Sequence, residues 1–232
     1  MRPLATPVLL CAALAGAAAC SSDPVSPPAE FAIVMDPGLA GNNQSAEVGT
    51  VLPLGLRVLV TKNNIPASGI DVVWAVPPGD GTIGTATTTN AAGIATGIWS
   101  MPTTSGVKTA TAALSGATGS PVTFQATATP AAADSFAIQA GNNQTVSAGA
   151  VAGEPLIVKI LDAYHNPVGG VTVAWSLISG DATLSETSTV TGVAGTATIS
   201  VTAGPTAGPV VIRAIPNSPP GVQGDFSLTI VP

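Results

Sequence analysis

The sequence is poor in the residues that proteins commonly use for chemistry or cross-linking. Of its 232 residues, 8% are charged and 3% are aromatic, and it holds two cysteines and one histidine. An average soluble protein has about 25% charged residues. The basic residues are scattered singly and the formal net charge is −6, whereas a nucleic-acid surface needs clustered Lys and Arg. We therefore expect no nucleic-acid partner, no cofactor and no metal.

Most of the chain consists of an internal sequence repeat. The segment GNNQSAEVGT at Gly41 returns as GNNQTVSAGA at Gly141, and Trp74 in DVVWAVPPGDGTI returns as Trp175 in TVAWSLISGDATL. A repeat of about a hundred residues is long enough to be a domain with its own core. The repeat predicts two similar domains, residues 31–130 and residues 131–232. It also aligns Phe31-Ala-Ile with Phe136-Ala-Ile.

The N-terminal sequence predicts a targeting signal over residues 1–19. Arg2 and the amino terminus are followed by an apolar run from Leu4 to Ala15, shorter than the roughly 20 residues of a membrane span. The next residues, Gly-Ala-Ala-Ala-Cys, resemble a bacterial lipobox, which implies that Cys20 becomes the lipid-modified first residue. Ala17 stands where that motif prefers leucine. The alternative is ordinary cleavage near Ala19, which leaves a secreted chain with a free thiol.

The cysteine count and the next segment bear on how the domains are held. Once Cys11 leaves with the signal, Cys20 has no partner within the chain, so the domains must be held by packing and backbone ladders rather than by disulfides. Residues 20–30 are rich in Pro and Ser and are predicted to be an extended tether. The resemblance to a lipobox implies a membrane partner, reached through the lipid on Cys20.

Both copies are predicted to be all-β. Short apolar, β-branched runs recur about every ten residues with Gly, Pro and Asn between them, which is typical of antiparallel sandwiches. We expect two tandem immunoglobulin-like antiparallel β-sandwiches after a signal peptide and short linker. Trp74 and Trp175 should lie between the sheets. We also expect Trp99 to point inward and Gly97 to make room for its ring; the alternative is an exposed contact tryptophan.

Copy two resembles a known family of bacterial repeats. The segment DAYHNPVGGVTVAWSLISGDATL from Asp162, followed by TGVAGTATISV from Thr191, is similar to the bacterial immunoglobulin-like group 1 repeats of invasin and intimin adhesins. Copy one keeps Gly93 and Ala95 but has Thr61 or Lys62 where the family's Asp falls. The resemblance implies a stalk or spacer of a surface protein.

Few residues are candidates for chemistry. His165, the one histidine, lies in the turn sequence YHNP, and copy one has no histidine, so a duplicated catalytic site is excluded. Asp80 and Asp181 follow glycines in equivalent turns. We interpret both as ordinary turn residues, because neither turn has several acidic residues close together. The alternative is that they bind calcium at the domain junction. The repeated GNNQ is interpreted as a turn leading into an edge strand.

Three functions remain open. The first is a non-enzymatic, lipid-anchored outer-membrane protein, on the surface or periplasmic face, whose domains form a rod for adhesion or protein contacts. The second is a carbohydrate-binding accessory lipoprotein, and the third a subunit of a larger surface complex. The partner would be an unidentified protein or glycan. The candidate contact turn comprises Asp162, Tyr164, His165 and Asn166.

Overall fold

The computed structural model describes residues 30–232. The predicted signal peptide at 1–19, Cys20 and the predicted tether up to residue 29 lie outside the described residues. Eleven strands form the first domain: β1 (Phe31–Met35), β2 (Gln44–Glu47), β3 (Leu56–Lys62), β4 (Ile65–Pro66), β5 (Asp71–Ala75), β6 (Thr82–Ile83), β7 (Ala86–Thr88), β8 (Ile94–Gly97), β9 (Trp99–Ser100), β10 (Gly106–Ala113) and β11 (Val122–Thr129). Ten form the second: β12 (Ala133–Ala140), β13 (Gln144–Ser147), β14 (Leu156–Asp162), β15 (Thr172–Ser179), β16 (Ala182–Leu184), β17 (Ser188–Val190), β18 (Thr196–Ile199), β19 (Val201–Ala203), β20 (Gly208–Pro216) and β21 (Gly224–Val231).

Each domain is a sandwich of two main sheets with one additional two-stranded sheet, β6-β9 in domain one and β16-β19 in domain two, and the topology repeats. In domain one, β3 lies between β1 and β8 in one sheet, with β4 against the end of β3, and the facing sheet has the order β2-β11-β10-β5-β7. In domain two the corresponding orders are β12-β14-β18 and β13-β21-β20-β15-β17. The predicted all-β tandem sandwich is confirmed. Within residues 30–232, no helix is long and apolar enough to cross a bilayer.

The repeated GNNQ segment explains the one parallel pairing in each domain. β2 runs parallel to β11 and β13 runs parallel to β21. The expectation of purely antiparallel sandwiches was therefore wrong at these two edge strands. Asn43 and Asn143 both adopt a left-handed φ of 58°, which asparagine tolerates better than most residues. The Gln44 side chain donates to the carbonyls of Gly41 and Leu54, at 2.6 and 2.8 Å, and accepts from Leu54 N–H at 2.8 Å. The motif is therefore the turn into an edge strand, as predicted.

The two cores are built around the same aromatic pair. The rings of Trp74 and Phe124 are tilted with centroids 6.0 Å apart, and those of Trp175 and Phe226 with centroids 5.8 Å apart. Each indole N–H has a partner, because Trp74 donates to Thr87 Oγ1 and Trp175 to Thr189 Oγ1. Tilted pairs of this kind stabilise a core beyond the area they bury. Apolar packing around these rings takes the place that a cystine holds in many immunoglobulin domains.

The structure corrects the predicted role of Gly97. Trp99 is buried as expected, with 1% of its surface exposed, and its indole N–H donates to the Asp80 carbonyl at 2.8 Å. However, a Cβ on Gly97 would lie 2.7 Å from Cδ2 of Trp74 and not against Trp99. The prediction that Gly97 accommodates Trp99 was wrong because Gly97 belongs to β8, whose inner face covers the first tryptophan of the domain.

The pairing of β12 also differs from the sequence alignment. Phe31 lies opposite Lys62 at the end of β3, whereas Phe136 lies opposite Ile160, the register position that Ile33 holds in domain one. The two Phe-Ala-Ile segments are therefore shifted by two residues relative to each other. β12 has a register irregularity between Ala133 and Ser135. The shift puts a larger side chain, Phe136, where domain one has Ile33.

Space for that larger ring comes from the facing sheet. A Cβ on Gly224 would lie 2.6 Å from Cε1 of Phe136. Counting back from the aligned Phe124 and Phe226, the position of Gly224 corresponds to Val122 in domain one, which is buried. Domain one thus has Ile33 and Val122 at the two positions where domain two has Phe136 and Gly224. The two solutions fill similar volumes, as close packing requires.

Exchanging this pair tests the register. We expect Gly224→Val to lower the free energy of unfolding of domain two by about 2 kcal/mol, because the new side chain overlaps the Phe136 ring. Adding Phe136→Ile should recover about half of that loss or more, since it restores the combination found in domain one. Urea unfolding of the single and double variants measures the coupling. Additive losses would contradict the assigned register.

Candidate functional site at the domain junction

The turn that connects β14 to the next segment is organised by one carboxylate. Asp162 Oδ1 accepts the N–H groups of Tyr164 and Asn166 at 2.9 and 2.8 Å. His165, between them, has a left-handed φ of 67°, and its N–H donates to the Asp162 carbonyl at 2.9 Å. An aspartate that bonds the backbone two residues on is a common turn device. Here it closes the turn and brings Asn166 back beside Asp162.

The second oxygen of the same carboxylate holds the linker. Asp162 Oδ2 accepts from Ala131 N–H and from Nδ2 of Asn166, both at 2.9 Å. Burial raises the pKa of Asp162, but the hydrogen bonds from the Asn166 side chain and the N–H groups of Asn166, Ala131 and Tyr164 outweigh it. The pKa of this carboxyl therefore lies below its usual value. Asp162 is charged at neutral pH and has four donors around it.

Asn166 joins the two domains. Its Nδ2 donates to the Thr103 carbonyl at 2.8 Å, and its Oδ1 accepts from Ser105 N–H at 2.8 Å. Both partners are backbone groups of the loop between β9 and β10 of domain one. The side chain is buried, with 6% of the residue exposed. Since Nδ2 has two hydrogens, one serves Thr103 and the other Asp162. We call Asp162 and Asn166 the junction clamp.

The receiving loop in domain one has its own support. Lys108 is buried and its Nζ donates to Thr104 Oγ1 at 3.1 Å, between the two backbone groups that meet Asn166. Nζ also lies 4.0 Å from Asp80 Oδ1. Asp80 Oδ2 in turn accepts from the N–H and the hydroxyl of Thr109, at 2.9 and 3.0 Å. These contacts support the loop to which the clamp is bonded.

The structure places the predicted contact turn differently from the expectation. Asp162 and Asn166 are buried against the linker and domain one, so their polar atoms are not available to an external partner. The sequence pattern identified the turn, but the contact between this turn and domain one is set by the tertiary structure. Tyr164 and His165 remain exposed. The Tyr164 hydroxyl lies near Gly49, where a Cβ would come within 3.5 Å of it.

An open cleft of about 360 Å³ borders the clamp on the same junction. Its lining includes Gly106 and Pro130 from the domain-one side and Pro167 and Val193 from domain two. Val193 sits in the loop before β18 and is 98% exposed. The junction therefore joins a polar, fully bonded centre to a shallow apolar rim.

The corresponding end of domain one lacks the clamp. Lys62 stands at the position of Asp162 and Ile65 precedes Pro66 as Asn166 precedes Pro167. Asn63 instead closes this end locally, because its Oδ1 accepts from Glu30 N–H at 3.0 Å and its N–H donates to the Glu30 carbonyl at 2.9 Å. The signal for the junction was thus present in the sequence as a difference between the copies.

The Gly-Asp turns are structural in both domains. Asp80 supports β10 as described above, and Asp181 Oδ2 accepts from Thr206 N–H at 3.0 Å. Among residues 30–232, no group of three or more His, Cys, Asp or Glu residues is arranged to hold a metal ion.

Comparison with known proteins identifies the class of domain two. Residues 137–221 match the family of bacterial Ig-like domains of group 1. The resemblance noted in the sequence is confirmed for this copy; domain one lies outside the matched residues. No curated protein sequence matches the chain.

Two solved structures have the same fold over most of the chain. The Escherichia coli adhesin FdeC is 20% identical with a TM-score of 0.58, and the aligned region covers 89% of this chain and 66% of that one. InvD of Yersinia pseudotuberculosis is 21% identical with a TM-score of 0.55, with 88% of this chain and 57% of that one covered. The chain thus spans less than two thirds of each, and at these identities the likeness is one of fold.

Proposed function

We propose that this chain is a non-enzymatic, lipid-anchored protein of a bacterial outer membrane, whose two domains form a rod for adhesion or protein contacts. The observation that carries the rod is the junction clamp. A side chain from domain two bonds two backbone groups of domain one, and a buried carboxylate bonds both that side chain and the linker. Domains joined by a flexible linker alone would move independently, whereas these contacts hold one orientation.

We propose Cys20 as the anchor because the residues before it resemble a lipobox. Two or more acyl chains on this residue would give stable membrane attachment. The group 1 Ig-like match in domain two and the adhesin described for FdeC support a stalk or adhesion role. The rival sugar-binding function gains little support, because sugar sites usually expose aromatic rings. Trp74, Trp99 and Trp175 are buried in the cores. Among the described residues, Tyr164 is the one aromatic side chain in the exposed class.

The test combines labelling with protease shaving of intact cells. The wild-type protein should incorporate an alkyne-labelled fatty acid and fractionate with the outer membrane, and Cys20→Ser should lose the label and appear in the soluble fraction. Mass spectrometry of peptides released from intact cells should then detect domain two. A periplasmic protein serves as the leakage control.

Each part of the proposal has a result that would overturn it. Unchanged labelling in Cys20→Ser would exclude lipidation at this residue. Peptides that are released only after the outer membrane is permeabilised would exclude contacts at the cell surface and favour a periplasmic scaffold.

A further inference from the structure

The same sheet edge is covered in domain one and open in domain two. In domain one, Ile33 N–H donates to the Thr118 carbonyl at 3.0 Å and Thr118 N–H donates to the Phe31 carbonyl at 2.9 Å. The loop between β10 and β11 thus forms a parallel bridge along β1. In the described part of domain two, no such bridge joins β12 to the loop between β20 and β21.

The sequence of that loop accounts for the difference. The connection has the same length in both domains, residues 113–121 and 215–223, between aligned pairs of the two ladders. Pro220 occupies the place of Thr118 and has no N–H to donate. The bond that Thr118 makes to β1 therefore has no equivalent on β12.

The backbone groups left at this edge can be assigned. Phe136 pairs with Ile160, whose N–H donates to Gly195 and whose carbonyl accepts from Val168, both on the far side of β14. Phe136 and Ile160 are therefore a non-hydrogen-bonded pair, and the N–H and C=O of Phe136 point out of the edge. Two residues on, those of Ile138 do the same. No hydrogen bond to these four groups is present among the described residues.

We infer that β12 pairs with β12 of a second copy, antiparallel about a two-fold axis at Ala137. In that register, Phe136 faces Ile138 of the second copy and exchanges two hydrogen bonds with it, so the symmetric pair makes about four. Unpaired edges of this kind are the usual sites of strand addition. Register irregularities on either side, at Ala133/Ser135 and Ile138/Ala140, confine the pairing to this central stretch.

Side chains at the axis fit a second copy. Ala137 is small and exposed, and it would face its own equivalent at close range. The charged residue of β12, Asp134, lies toward the end of the strand and so does not face Asp134 of the second copy. Like charges directly opposite one another would destabilise the pair, and this register places none there.

Sedimentation velocity of a chain beginning at residue 21 tests the pairing, with concentrations up to about 1 mM to detect a weak dimer. We expect a monomer–dimer equilibrium that Ala137→Asp weakens by about tenfold or more, because two carboxylates then face each other at the axis. The introduced carboxylate would lie beside Lys159 on β14, which favours retention of the fold. The matched control is Val34→Asp at the same register position on the covered edge of domain one, which should leave the dimer unchanged.

A second measurement can trap a weakly populated dimer. Non-hydrogen-bonded residues opposite one another on antiparallel strands have Cα atoms about 4.5 Å apart, which a disulfide can bridge. Ala137→Cys should therefore form a disulfide-linked dimer under mild oxidation, and Val34→Cys should not. A monomer at every concentration, or equal cross-linking of the two cysteine variants, would overturn the inference.

Discussion

Replacing Asp162 with alanine should lower the free energy of unfolding of domain two by about 3 kcal/mol or more. The change leaves the N–H groups of Ala131, Tyr164 and Asn166 and one hydrogen of Asn166 Nδ2 without their acceptor. A buried donor left unsatisfied costs about 1–3 kcal/mol, and water entering the site offsets part of the total. Urea unfolding followed by hydrogen exchange of peptides from each domain measures the loss and assigns it to domain two.

Asn166→Ala is the matched variant, because it removes the bonds to domain one and keeps Asp162 with its backbone donors. It should cost less than Asp162→Ala in domain two and should broaden the distribution of interdomain orientations in small-angle X-ray scattering. If the scattering of Asn166→Ala were identical to that of the wild type, the clamp would not be what orients the domains.

The charge on Asp162 predicts the direction of the pH dependence. Its pKa is lower in the folded state than in the unfolded chain, so the unfolded chain binds the proton first as the pH falls. The stabilisation is complete above the unfolded-state pKa of about 3.9 and is lost as the pH falls through the lower, folded-state pKa. Asp162→Asn should remove this part of the acid dependence. An unchanged acid profile in that variant would contradict the role of the ionised carboxylate.

Gly97→Val should lower the free energy of unfolding of domain one by about 3 kcal/mol. The added Cβ alone would lie 2.7 Å from Cδ2 and 2.9 Å from Cε3 of Trp74, and 3.0 Å from Cδ1 of Ile83. Such an overlap in a packed core forces side chains off their rotamers and typically costs about 1–3 kcal/mol, or more when the neighbour is a confined ring. Urea unfolding monitored by tryptophan fluorescence detects the change.

Gly84 provides the control, since it lies in the same domain, has no atom within 4 Å of an added Cβ and has no left-handed φ. Gly84→Ala should be neutral or slightly stabilising. In the Gly97→Val background, Trp74→Phe should recover part of the loss and Trp99→Phe should not. Recovery by Trp99→Phe instead would restore the original interpretation of Gly97.

The clamp and its acceptor make the order of the domains specific. Domain two has Pro205, Ala207 and Val210 at the positions of Thr103, Ser105 and Lys108. Domain one lacks the Asp162 and Asn166 equivalents, as described above. Neither domain therefore carries both halves of this junction. The two copies share a core and a topology but have diverged at the ends that meet.

Local pattern was enough to predict the architecture. Alternating apolar residues with turn residues about every ten positions indicated the strands, because both depend on the residue and its immediate neighbours. The repeat of Trp74 as Trp175 predicted two cores, and the segments that begin at Asp162 and Thr191 indicated the resemblance of copy two to group 1 Ig-like domains. The turn at GNNQ was also readable, since asparagine and glycine favour left-handed backbone.

Contacts between distant parts of the chain decided the rest. The two-residue shift of β12 depends on Gly224 in the facing sheet, and the residue under Trp74 depends on how β8 packs across the core. The difference between the copies at Asp162 and Asn166 marked this turn, but it did not indicate what the turn contacts. Asn166 bonds the backbone of residues 103 and 105, and backbone groups are the same for nearly every sequence. The sequence alone therefore determined which segments form strands and turns, whereas the tertiary structure decided which of them meet, because pairing and packing depend on the combined shape of segments far apart in the chain.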